Sequence, residues 1–247
     1  MAPRAALLVG SLFVLTVSAA GAASATTWQN GDVITFSQDS WGDAPTPTNA
    51  AGLLVANHDN VYSSTFGVLE VGEPGAAGFS IRFLNSLAVL TYLPAAGAPS
   101  ALAQDYINPS LTSAGVAGGN VTALQLNVDF SDARVTLGAS GIPFGDLILS
   151  DFSSTLVAEG EFLNGMTVRQ YLGLVNGLLG GGFSFFGPLD PVTFDLNLSF
   201  ADGSPTQFAQ DHLVAPPSAA VPEVSSLLLL GVGAMGVGWS RRLMRRR

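Results

Sequence analysis

The chain has 247 residues, 48% of them hydrophobic and only 11% charged, with no cysteine and no lysine. Between positions 26 and 220 three arginines face 17 acidic residues, a net −14, whereas five of the remaining six arginines crowd the last seven positions. Such a body excludes a nucleic-acid binder, which needs a basic surface to displace counterions from phosphate, and it excludes disulfide scaffolds, thiol enzymes and lysine chemistry.

The N-terminus has the form of a secretory signal. Arg4 supplies a positive start, residues 5–18 form an apolar run, and Ala23-Ser24-Ala25 offers the small-x-small pattern read by a signal peptidase. Cleavage is expected after Ala25, with Ala20-Gly21-Ala22 as a second site. Residues 1–25 are therefore expected to direct export.

Residues 26–210 are long enough for one domain with a substantial core. Three segments alternate apolar and polar with period two: Phe79, Ile81 and Phe83; Leu124, Leu126, Val128 and Phe130; and Phe194, Leu196, Leu198 and Phe200. That period predicts strands with one buried and one wet face, as antiparallel sheets have. Segments 33–36, 60–63 and 134–137 are weaker strand candidates, and Asn30-Gly31 and Asp202-Gly203 supply turn chemistry. Two segments read as helices. Thr167 is placed to cap one carrying Val168, Tyr171, Leu172, Val175 and Leu179 at helical spacing and ending at Gly180-Gly181-Gly182. The other covers 87–93 and stops at Pro94. The expected fold class is mainly β: an antiparallel sandwich or jelly-roll-like ectodomain with one or two short inserted helices. Residues 211–220, with Pro216-Pro217, read as an extended linker.

The tail, 221–247, begins Val221-Pro222-Glu223-Val224. It continues through an apolar, glycine-containing stretch at about 225–240 and ends in Arg241, Arg242, Arg245, Arg246 and Arg247. Sixteen helical residues span about 24 Å, a marginal transmembrane helix against a hydrocarbon core of roughly 30 Å. The arginines act as a topological stop on the cytoplasmic side of the inner membrane while the body is exported. Gly231 to Gly236 matches G-x-G-x-x-G literally, but no acidic residue follows, so it is not a dinucleotide fingerprint.

Pro-Glu, small polar residues, a leucine-rich glycine-containing stretch and a terminal arginine run together resemble the PEP-CTERM sorting signal of exported proteins of Gram-negative bacteria. The resemblance covers about thirty residues and carries over Val221, Pro222 and Glu223 as the processing motif. Val224 stands where the family usually has a second proline. The resemblance implies an exosortase, a membrane enzyme that processes such proteins near the Pro-Glu motif. It also implies company with extracellular polysaccharide.

Catalytic signals are sparse. His58 and His212 lack any metal-site spacing; His58 reads as part of a polar surface turn and His212 as exposed at the linker. No G-x-S-x-G elbow is present. Glu159 with Glu161, and Glu70 with Glu73, are carboxylate pairs in sequence only. Asp129, Asp132, Asp190 and Asp202, placed at expected strand ends or turns, are candidate ligands for a structural calcium; no other cofactor is expected. The favoured reading is a non-enzymatic envelope or extracellular-matrix protein. The alternatives are a carbohydrate- or calcium-binding β module, with Trp28, Trp41 or Tyr62 exposed on a concave face, and a secreted hydrolase with converging carboxylates.

Overall fold

The computed structural model of the chain describes residues 27–153, 160–181 and 186–217. These residues form seven α-helices and five strands, none of the strands longer than four residues. The expected mainly β sandwich is therefore replaced by a helical body. Its centre is α4 (Gly115–Asp132), of whose eighteen residues fourteen are buried. Around it pack α1 (Gln38–Trp41), α5 (Val168–Leu179) and α6 (Phe186–Leu198), with β1 (Leu69–Gly72) at one side.

The physical reason for this correction lies in the polar members of the alternating segments. Leu124, Leu126, Val128 and Phe130 are buried as expected, but they lie on α4. Asn127, expected on a wet strand face, is only 1% exposed. Its Oδ1 accepts from the backbone N–H of Phe36 (2.9 Å) and from Nε1 of Trp41 (3.2 Å). Its Nδ2 donates to the Phe36 carbonyl (2.8 Å) and to Oδ1 of Asn197 (3.0 Å). Asn197 lies on α6, in the third segment expected to be a strand, and donates onward to the Asn120 carbonyl (2.9 Å). A helix buried over most of its surface has little wet face, so its buried polar residues must be paired internally, and their spacing says nothing about exposure.

Small residues let the central helix approach its neighbours. A Cβ on Gly118 would collide with the Tyr92 hydroxyl, and one on Gly119 with the Gln38 amide. The N-terminal end of α4 is thus held close to α1 and to α3 (Ser86–Tyr92), which is capped by the Asn85 side chain on the Ala88 N–H.

Two expectations hold. The segment beginning at Val168 is helical, capped by a reciprocal pair in which Thr167 Oγ1 accepts from the Gln170 N–H (3.1 Å) and Gln170 Oε1 from the Thr167 N–H (2.8 Å). It buries Val168, Tyr171, Leu172, Val175 and Leu179. The helix expected at 87–93 is α3. Of the expected strands, only 79–83 gives one: β2 (Ser80–Phe83) runs antiparallel to β1 and parallel to the two-residue β3 (Tyr106–Ile107). The 33–36 segment contributes a single bridge, Thr35 to Ala201. Residues 60–63 end α2 (Ala50–Val61) and enter a 3-10 turn at Ser63–Thr65, and 134–137 is a turn.

The C-terminal end of the body reaches further than expected. Residues 211–214, assigned to the linker, complete α7 (Gln207–His212) and β5 (Leu213–Val214), which pairs with β4 (Ile148–Leu149). There Trp28 Nε1 donates to the Leu213 carbonyl (2.8 Å), and the Gln210 side chain makes two hydrogen bonds to the backbone of Trp28. The Asn30-Gly31 and Asp202-Gly203 turns also meet, Gly31 N–H donating to the Gly203 carbonyl at 2.7 Å. Both ends of the folded body therefore lie side by side.

Among the described residues no helix is long and apolar enough to cross a membrane. The transmembrane helix expected at 225–240 lies outside the described residues, as do Val221, Pro222, Glu223, the five terminal arginines, Ala23 and Ala25.

Candidate functional site

A cleft of about 560 Å³ opens where the C-terminal end of α2, the sheet and α4 meet. That size suits a small molecule. Tyr62, the residue following α2, lies at its base with its ring buried. Its hydroxyl donates to Asp129 Oδ2 at 3.0 Å. Gln125, one helical turn before Asp129 on α4, donates through Nε2 to both carboxylate oxygens (2.9 and 3.0 Å). The Gln125 amide is itself oriented: Asn176 of α5 donates to its Oε1 at 3.1 Å, while Asn176 Oδ1 accepts from the Gly72 N–H of β1. A chain of side chains from three elements thus fixes the Asp129 carboxylate.

Burial pushes the Asp129 carboxyl up from 3.8 to about 6, and the nearby Asp132 charge pushes the same way; the bonds from Gln125 and Tyr62 oppose the shift. Burial and the Asp129 charge together raise Tyr62 well above its ordinary value, so it remains a donor. Asp132 is engaged by a fork from Arg169 (2.6 and 2.8 Å), which also reaches Asp146 at 3.1 Å. These two acids raise the Arg169 guanidinium above its ordinary value.

The sheet supplies the opposite wall. Register sets Glu70 directly across from Arg82, with 3.9 Å between Glu70 Oε1 and Arg82 Nε. Ser80 donates to the same oxygen at 2.8 Å. Among the described residues the Arg82 guanidinium makes no hydrogen bond, and Glu70 Oε2 has no partner. Val61, Val68 and Leu69 add apolar lining.

In the turn after α2, Phe66 is 98% exposed, with φ at 57°. A bulky residue in the left-handed region is strained, at a cost of about 1–3 kcal/mol. The surrounding turn imposes it: Gly67 N–H donates to the Tyr62 carbonyl, and the single Thr65 hydroxyl proton is within reach of both the Val68 carbonyl (2.7 Å) and the Tyr62 carbonyl (3.0 Å). Phe66 falls between the cleft-lining residues Thr65 and Val68 in sequence.

The structure separates most of the residues picked out in the sequence. Asp129 and Asp132 line this cleft, whereas Asp190 accepts from Asn120 and Asp202 sits in a left-handed turn beside Gly203. No group of three or more His, Cys, Asp or Glu able to hold a metal ion occurs among the described residues. Trp28, Trp41 and Tyr62 are all buried, so none offers the exposed face expected of them. His58 is not on a surface turn: it lies on α2, 1% exposed, its ring 5.1 Å from that of Tyr62. His212 stacks between Phe152 and Phe208. Glu70 belongs to the cleft but Glu73 packs near Gly180; Glu161 is exposed, and Glu159 lies outside the described residues. Sequence reasoning missed Phe66, for which the only signal was an aromatic residue inside the turn-like Ser63-Ser64-Thr65-Phe66-Gly67.

A family model described as the PEP-CTERM protein-sorting motif matches residues 220–242. No curated protein and no solved structure matches this chain. The chain therefore carries a PEP-CTERM sorting motif, which implies export, a C-terminal sorting region and an exosortase as processing partner.

Proposed function

We propose that the protein is an envelope or extracellular-matrix component, tethered in the inner membrane by its tail and then released at the Pro222-Glu223 motif to the cell surface or matrix. The observation that carries this reading is the sorting motif at 220–242, which begins three residues after Pro217, the last described residue of the body. The body acts by what it binds or packs against and not by turnover. Its acidity supports that role, since dispersed like charge keeps an exported protein soluble. The meeting of the two ends supports it further. The Trp28–Leu213 clasp lies wholly between the expected signal cleavage after Ala25 and the processing motif, so removal of both flanking segments leaves the clasp in place.

The test is processing in a host that has the cognate exosortase. Glu223→Ala is expected to accumulate as the longer, membrane-fraction form, with export itself unchanged. Mass spectrometry of the mature C-terminus reads the outcome. Release of the variant at the wild-type mass and rate would remove Glu223 from the processing motif and, with it, this account of the tail.

A further inference from the structure

Charge is spread unevenly over the body. Sixteen of its 17 acids and all three of its arginines lie outside residues 83–128, a stretch whose single charged residue is Asp105. Part of that stretch is the buried α4, but residues 84–111 reach the surface. There Leu84, Leu87, Ile107 and Leu111 are each between 44% and 69% exposed.

Two hydrogen bonds bring these side chains onto one face. The Leu84 N–H donates to Asn108 Oδ1 at 2.8 Å, and the hydroxyls of Tyr92 and Thr112 meet at 3.2 Å. The strip carrying Ile107 and Leu111 therefore runs beside the one carrying Leu84 and Leu87. On α3, Ala88, Val89 and Tyr92 enter the core, which leaves Leu87 outward. The face also includes the free edge of the sheet. Asn108 N–H donates to the Arg82 carbonyl (2.9 Å), so the preceding Ile107 directs its own N–H and carbonyl away from β2. Pro109, next along that edge, has no N–H, so the face is suited to side-chain packing and not to extension of the ladder.

The charge pattern selects what covers this face. Its borders are balanced: Arg82, in register with Ile107, has Glu70 at 3.9 Å, and Asp105 accepts from the Ser80 N–H at 2.9 Å. A face that docks on lipid surrounds its apolar residues with lysine or arginine, and this one has only Arg82. A basic partner would be drawn to the acidic surfaces elsewhere on the body. A second copy of the same chain is repelled by those surfaces and approaches closely only where charge is absent. Aliphatic side chains on both sides also meet the self-complementarity that a two-fold contact requires. Four partly exposed aliphatic residues fall short of the roughly 800 Å² per partner of a standard interface, so the pairing is weak and depends on local concentration.

We propose that the face formed by α3 and β3, with Leu84, Leu87, Ile107 and Leu111 at its centre, is the contact by which two copies of this chain pair about a two-fold axis. The pairing goes beyond the sorting reading and stands without it.

The chain has no cysteine, so one introduced thiol reports on one place. Ser110→Cys lies on this face beside Leu111. Ser204→Cys lies at the chain ends, next to the Gly31–Gly203 contact, and both serines are exposed. Whole cells producing the full chain are treated with a membrane-permeant bismaleimide, and the products are sized on a gel and identified by mass spectrometry. Ser110→Cys is expected to yield a band of twice the chain's mass containing this chain alone, about tenfold more abundant than with Ser204→Cys. Adding Leu87→Glu or Leu111→Glu to Ser110→Cys should reduce that band about tenfold, whereas Ser204→Glu, which adds the same charge elsewhere, should leave it unchanged. Both leucines face solvent, so the variants should unfold at the wild-type urea concentration, and loss of cross-linking is then not loss of fold. Absence of a dimer band, equal cross-linking at positions 110 and 204, or a band indifferent to both leucine variants overturns the inference. So does a cross-linked product at position 110 that contains a different protein.

Discussion

The indole nitrogen of Trp28 donates to the carbonyl of Leu213 across 2.8 Å, tying together residues 185 positions apart. The clasp is reinforced by Gln210, whose amide brackets the backbone of Trp28, and by edge-on contact of the Trp28 ring with Phe200 at 5.4 Å. It closes the body where its last strand, β5, would otherwise rest on two residues of β4 alone.

Trp28→Phe keeps an aromatic ring but removes the only donor that reaches the Leu213 carbonyl from that side chain. A buried carbonyl without its partner costs about 1–3 kcal/mol. The variant is expected to unfold at lower urea concentration by that amount, with amide exchange accelerating first in 213–214. Unchanged exchange there would show that β5 is held by β4 and not by the clasp.

The amide of Asn127 serves Phe36, Trp41 and Asn197 at once. Asn127→Ala leaves the N–H and carbonyl of Phe36, the Trp41 indole N–H and the Asn197 amide oxygen without these partners in the core. A loss of about 3–5 kcal/mol is expected, at the upper end of single-residue effects. Thermal or urea unfolding measures it. A loss below about 1 kcal/mol would mean that water enters and replaces the amide.

The same residue explains which parts of the fold were legible in the sequence. Where a helix has one buried face and an exposed one, as α5 does, the pattern and the Thr167–Gln170 cap reveal it. In α4 and α6 the residues that break the apolar run, Asn127 and Asn197, are themselves buried and are satisfied by each other and by distant backbone. No local signal distinguishes such a helix from an alternating strand, because the partner groups lie tens of residues away. The cleft was hidden for the same reason: Asp129 was visible as an acid, but the strand register that sets Glu70 against Arg82, and the turn that forces Phe66 outward, are tertiary facts. The tail was legible because its order of residues is itself the signal.

Asp129 makes stability depend on pH in a definite direction. Burial raises its folded pKa to about 6, above the ordinary 3.8, so the folded state holds this proton more tightly than the unfolded chain. Its contribution to stability therefore falls as pH rises from about 4 to about 6, and above that the full cost of the buried charge is present. Asp129→Asn removes the charge while keeping an acceptor for Tyr62. It is expected to be more stable than wild type at pH 8, by about 1–3 kcal/mol at 1.36 kcal/mol per pKa unit, with the difference vanishing near pH 4. Urea titrations at the two pH values check the sign. A variant less stable than wild type at pH 8 would mean that the carboxylate gains more from Gln125 and Tyr62 than burial takes away.

The contact of Trp28 with Leu213 has a consequence for the order of elements along the chain. A body whose entry and exit coincide is, in effect, a closed loop of elements. The exposed stretch at 43–48 is as natural a place for a start as position 27. The fold should accordingly admit circular permutation, because what defines it is the cyclic succession of helices about α4 and not the point at which synthesis begins.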